Sequence, residues 1–170
     1  MIGVNDNLSK AALIVLAGSI ALLAGAWAFQ LIGGLAPCPM CLEQRWAYYT
    51  AIPVCLAIIA LRTRSAATPI PRTAMVLCGL IILAGGILAG YHAGVEWKWW
   101  EGPTDCTGTG NFSSETSLLP DLSKPALVPC DQAAWRLFGI SLAGYNFLFA
   151  LALVSVCLWA VRNPAGVERA

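Results

Sequence analysis

Four long apolar stretches, at residues 11–30, 42–61, 74–94 and 140–161, constrain this chain more than any other feature. Each is close to the roughly 20 residues that a helix needs to cross the hydrocarbon core of a bilayer. Unpaired backbone groups are so costly in lipid that runs of this length imply helices, and the alternation of a barrel strand is missing. With 58% of its residues hydrophobic and 11% charged, the chain leaves little for a soluble domain. The expected fold is an all-α membrane protein, one domain over residues 1–170, built as a four-transmembrane-helix bundle. The first stretch exceeds the roughly 7–15 residue core of a cleavable signal and has a thin basic flank, so it reads as a retained span.

Charge placement orients the bundle. Between the second and third stretches lie Arg62, Arg64 and Arg72 without an acidic residue, whereas the segment from Val95 to Arg136 carries Glu96, Glu101, Asp105, Glu115, Asp121 and Asp131. By the positive-inside rule the arginine loop is cytoplasmic. An even number of spans then puts both termini on that side, in keeping with Lys10, Arg162 and Arg169, and leaves residues 31–41 and 95–139 as outward loops. Trp97, Trp99 and Trp100 fall where an interfacial aromatic belt belongs. The long outward loop, rich in Gly, Pro, Ser and Thr, reads as a connector with at most a short amphipathic piece near Leu118 to Leu122. A formal net charge of +1 offers nothing to nucleic acid.

The seven cysteines divide by location. Cys38, Cys41, Cys106 and Cys130 fall in outward loops, and Cys55, Cys78 and Cys157 fall inside spans. Outward loops of a bacterial inner membrane meet an oxidising compartment, where thiols pair. A cysteine inside an apolar helix behaves as a small hydrophobe, and Cys55 lies about 21 Å further along its helix than Cys41, out of reach of chemistry at the loops.

Cys38-Pro39-Met40-Cys41 has the two-residue spacing of thiol–disulfide exchange sites and directly precedes an apolar helix. With Pro39 at the first helical position, Cys41 falls in the first turn, where the positive end of the helix dipole favours a thiolate. Arg45 is one turn further along the same face. A charge at that depth needs a partner, either the Cys41 thiolate or a carbonyl oxygen of a bound cofactor, unless it snorkels to the headgroups. Two other uses of the outward cysteines stay open: a zinc site, against which the wide spacing of Cys106 and Cys130 speaks, and disulfides that merely brace loops. A reactive pair at the membrane edge can meet soluble proteins through a mobile loop and lipid-soluble carriers through the bilayer. A relay from Cys106 and Cys130 to Cys38 and Cys41 and on to a quinone sink would use both contacts.

The run from Pro37 to Tyr49, PCPMCLEQRWAYY, resembles the active-site signature of the DsbB family of disulfide-forming membrane oxidases. Gly90 to Trp97 (GYHAGVEW) and Cys130 to Gly139 (CDQAAWRLFG) are also similar to that family, and the resemblance extends over nearly the whole chain. It implies that Cys106 reacts with a periplasmic thioredoxin-fold dithiol oxidase of the DsbA type, that Cys130 can pair with Cys38, and that Cys41 donates electrons to ubiquinone or menaquinone. It further implies quinone-binding roles for Arg45 and for His92. From the residues alone His92, the single histidine, is as readily an interfacial side chain. Gln30 matches a polar family position and is given no role. A vitamin K epoxide reductase-like quinone reductase is the alternative enzyme, although its active pair normally belongs to a late helix.

Overall fold

The computed structural model of the protein describes residues 6–64, 69–103 and 129–163. Four helices run through them: α1 (Asn7–Leu31), α2 (Pro39–Arg64), α3 (Ile70–Glu96) and α4 (Leu142–Arg162). All four are long and apolar enough to cross a membrane, which makes the chain a multi-pass membrane protein. Cys106 and the 118–122 piece lie outside the described residues.

Helix α1 packs on α2 and α4, and α3 packs on the same two, so the helices form a closed ring in chain order with α1 and α3 across the diagonal. Tight packing comes from small side chains. A Cβ added to Gly85 in α3 would sit 2.6 Å from the Cβ of Ala47 in α2, too close for any side chain, so this glycine sets how near the two helices come. Between lipid-facing surfaces the association of helices draws on such close contact rather than on a hydrophobic drive. Cys55, Cys78 and Cys157 are fully buried in this core among Ile58, Met75 and Ile82, as expected of small apolar residues.

The two ends of the bundle differ. At one, Arg62 pairs with Asp6 at 2.8 Å and Asn7 donates to the backbone carbonyl of Asn163, tying the starts of α1 and the ends of α2 and α4 together. At the other lie Cys38, Glu96 and the segment that enters α4. That entry departs from the sequence expectation of a helix from residue 140. Arg136–Leu137 (β1) and Ile140–Ser141 (β2) form a two-residue-turn hairpin, with Arg136 opposite Ser141. Phe138 and Gly139 at its tip have φ of 49° and 81°, the left-handed pair that a type I′ turn requires. Helix α4 therefore starts only at Leu142, capped by Ser141, whose hydroxyl accepts the Gly144 N–H at 3.2 Å.

The tryptophans expected at a membrane boundary lie just past α3 and pack on it. Trp100 stacks on Tyr91 with ring centroids 5.8 Å apart and donates its indole N–H to the Tyr91 carbonyl. Its ring covers Gly94 so closely that a Cβ there would sit 2.0 Å from it.

Candidate active site

The site grows from the first turn of α2. Cys38 is the residue before the helix: its carbonyl accepts the Leu42 N–H at 3.2 Å, and its sulfur accepts the Cys41 N–H, also at 3.2 Å. Cys38 thus occupies the helix cap with a sulfur in place of the usual hydroxyl, Pro39 fills the first helical position, and Cys41 stands in the first turn. The sequence reading assigned the favourable field of the helix start to Cys41. In the structure the Cys41 backbone N–H donates to the Cys38 sulfur, because the cap and the third helical residue face each other.

The two sulfurs are 2.7 Å apart. A small rotation brings them to the about 2.05 Å of a disulfide, whereas two thiolates on one tetrahedral zinc stand about 3.8 Å apart. Cys38, Cys41 and His92 do offer three ligand atoms within 4.8 Å of one another, but the cysteine spacing suits covalent pairing better than a shared ion. The hydrogen bond to Cys41 and burial together push the Cys38 thiol above the ordinary cysteine range. Cys130, brought in from the segment before the hairpin, is buried against Cys38 and Met40. Three of the four cysteines expected to face outward, Cys38, Cys41 and Cys130, are therefore in one cluster.

His92, on α3, stands over this cluster. Its Nε2 is 3.7 Å from the Cys38 sulfur and 3.8 Å from a Glu96 carboxylate oxygen. On its other side Nδ1 is 3.0 Å from the Gln44 amide nitrogen. The chain of contacts continues through Asn146 Nδ2, which donates to Gln44 Oε1 at 2.7 Å, to the Tyr48 hydroxyl, which donates to Asn146 Oδ1 at 2.5 Å. Arg136 lies beside Glu96, and its guanidinium donates to the Glu96 carbonyl at 3.0 Å.

Beside the cluster opens a cleft of about 370 Å³ between α1, α2, α4 and the segment around Trp135. Its walls are mostly apolar, with Phe29 and Trp135 in ring contact at 5.3 Å on one side, and its polar groups gather where Cys41, Gln44, Arg45 and Asn146 line it. Such a volume lies in the range of small-molecule sites, and the mix of apolar wall with a few convergent polar groups is typical of them. Arg45 is only 8% exposed. It is anchored from α1, donating to Gln30 Oε1 at 2.9 Å and lying over the Trp27 ring at 5.3 Å, so it does not snorkel away to the headgroups. Gln30, left without a role by the sequence reading, is the group that holds the guanidinium. His92, expected at the same pocket, is absent from its walls and reaches it only through Gln44.

Sequence reasoning also passed over Gln44, Asn146 and Tyr48. Their signal was present, since a buried amide or phenol inside an apolar span needs a partner, but which partner depends on how α2, α3 and α4 meet.

Comparison with known proteins agrees with this architecture. The profile of the family described as disulfide bond formation protein DsbB matches residues 9–160. The chain is 31% identical over 168 residues to a disulfide bond formation protein B of Azoarcus sp., covering 94% of this chain and 95% of that protein. It is 31% identical over 156 residues to another of Verminephrobacter eiseniae, covering 88% and 82%, and 30% identical over 161 residues to disulfide bond formation protein B 1 of Pseudomonas fluorescens, covering 88% and 89%. No solved structure matches it significantly. A vicinal cysteine pair at a helix start, a four-helix membrane bundle and a match spanning all four helices agree: the chain belongs to the DsbB family of membrane oxidoreductases that form disulfide bonds.

Proposed function

We propose that the protein reoxidises a periplasmic thioredoxin-fold dithiol oxidase of the DsbA type and passes the electrons through its two cysteine pairs to a respiratory quinone, ubiquinone or menaquinone. The observation that carries this reading is the position of Cys41. Its sulfur is within bonding reach of Cys38 on one side and lines the apolar cleft on the other.

Electron transfer then proceeds by successive thiolate attacks on disulfides, each forming one S–S bond and breaking another. A thiolate of the soluble partner attacks Cys106 in a Cys106–Cys130 disulfide, and Cys130 leaves with the electron pair. Cys130 attacks Cys38 in the Cys38–Cys41 disulfide, for which its burial beside Cys38 supplies the proximity, and Cys41 is released as a thiolate at the cleft. The partner's second thiolate then attacks the partner's own sulfur in the mixed disulfide and releases Cys106, which attacks Cys130 and frees Cys38. Cys38 and Cys41 can then re-form their disulfide, for which a bound quinone would supply the acceptor of two electrons and two protons, leaving as quinol. The cleft fits such a group: apolar walls for a ring and its hydrocarbon tail, and a fixed cation at the end where oxygen would need a donor. Arg45 would hold the quinone oxygen, and Gln30 and Trp27 keep Arg45 from turning away. His92 serves this reading from the sulfur side, as a neighbour of Cys38. In a cell the cysteine end faces the periplasm, and Arg62, Arg64 and Arg72 lie at the cytoplasmic end with both termini.

The test is optical. Purified protein, reduced thioredoxin-fold partner and a water-soluble quinone analogue should produce quinol in proportion to partner disulfide formed. Oxidation of the partner at the same rate without quinone and without oxygen would rule the reading out.

A further inference from the structure

The contacts of His92 give its ring a definite tautomer. The Tyr48 hydroxyl is 2.5 Å from the Asn146 side chain, a separation found for O–H···O hydrogen bonds and shorter than the about 2.7 Å lower limit for N–H···O. The atom of Asn146 that faces Tyr48 is therefore its oxygen, and its NH2 group must face the other way, toward Gln44. That contact in turn uses the Gln44 oxygen as acceptor and leaves the Gln44 NH2 group facing His92 Nδ1 at 3.0 Å. Each amide has one donor and one acceptor engaged, so the direction set at Tyr48 is carried unchanged to the imidazole. A nitrogen that accepts an N–H has no proton of its own, so the neutral ring must carry its proton on Nε2.

On that side the ring meets two acceptors, the Cys38 sulfur at 3.7 Å and a Glu96 carboxylate oxygen at 3.8 Å. Burial keeps water from competing, since His92 is 2% exposed and Gln44 and Tyr48 are each 4% exposed.

We propose that Tyr48, Asn146 and Gln44 form a directional hydrogen-bond chain that fixes His92 as the Nε2–H tautomer, and that this N–H positions Cys38 and Cys130 for exchange with each other. His92 is then a positioning residue of the sulfur cluster and no ligand of the cleft. The N–H faces the Cys38 sulfur at 3.7 Å, and Cys130 is buried against that cysteine. When a Cys38–Cys130 disulfide is cleaved by a thiolate attacking Cys130, the new S–S bond forms on Cys130. The electron pair of the broken bond stays on Cys38, where the same N–H receives its charge. The consequence for exchange rests on the relay proposed above, but the tautomer does not.

The chain contains one histidine, so full-length protein labelled with 15N-histidine gives one pair of ring signals. At about pH 8, where an unperturbed imidazole is neutral, the proposal requires a protonated Nε2 and an unprotonated Nδ1 in the reduced protein, with no quinone needed. A protonated Nδ1 in the unaltered protein would overturn it, whatever any variant does. Gln44→Glu, which turns the donor facing Nδ1 into an acceptor, should move the proton to Nδ1, and an unchanged spectrum in that variant would also overturn it. Gln44→Leu should slow formation of the Cys38–Cys130 disulfide by roughly three- to tenfold, the worth of one lost hydrogen bond. The rate is read by acid quench and mass mapping in protein with Cys106 replaced by Ala. An unaltered exchange rate alongside the expected spectra would refute the positioning role while leaving the tautomer and the quinone reading standing.

Discussion

Replacing Arg45 with Ala isolates the cleft from the sulfur relay. The guanidinium is nearly buried, takes one anchor from Gln30 at 2.9 Å and lies over Trp27, yet it lines the cleft with donors to spare. A hydrogen bond from a charged donor contributes about 1.5–3 kcal/mol, and about 1.4 kcal/mol is a factor of ten in affinity, so loss of Arg45 should raise the apparent KM for quinone about ten- to hundredfold. The lost contacts to Gln30 and Trp27 together contribute about 2–5 kcal/mol to the fold, so KM is compared at equal folded protein. Arg45→Lys keeps the charge but not the planar fork and should fall between. The assay is steady-state quinol formation with quinone varied at saturating partner dithiol, then the reverse. An unchanged quinone KM, or a change confined to the KM for the protein dithiol, would refute the placement of Arg45 at the quinone.

Cys41→Ala should abolish quinone-dependent oxidation, and a stable mixed disulfide through Cys106 should still be trapped with the partner; persisting quinol formation would remove Cys41 from the pathway. Cys55→Ala, Cys78→Ala and Cys157→Ala should each keep turnover within about twofold, because these buried sulfurs act as small apolar packing groups. Loss of activity in any one, measured at equal folded protein, would mean the core cysteines do more. Gly94→Val should cost about 1–3 kcal/mol by forcing Trp100 off the helix, visible as lost near-ultraviolet dichroism and a lower melting temperature; an unchanged Tm would contradict the close approach.

Much of this was legible in the sequence because lipid leaves the backbone few choices. Apolar runs of span length had to be helices, and their limits needed little more than the turns of polar residue that extend α1 and α3 beyond the runs. The first turn of α2 was legible too, since proline after Cys38 fixes where a helix can begin. The hairpin at 136–141 was not, because the apolar run continues through Ile140 and Ser141 while the turn depends on left-handed angles at Phe138 and Gly139. Nor was the division between cleft and sulfur cluster. The resemblance implied quinone-binding roles for both Arg45 and His92, while the residues alone left His92 open; the structure holds Arg45 through Gln30 and places His92 beside Cys38. Such choices depend on how helices distant in sequence rotate against each other, which periodicity alone does not specify.

In this mechanism the sulfur of Cys41 at the start of α2 hands its electrons into the apolar cleft. With Cys106 and Cys130 both replaced by Ala and the protein fully reduced, anaerobic addition of a quinone analogue should yield one quinol for each Cys38–Cys41 disulfide formed. Absence of quinol, or an equal yield after Cys41→Ala is added, would contradict it.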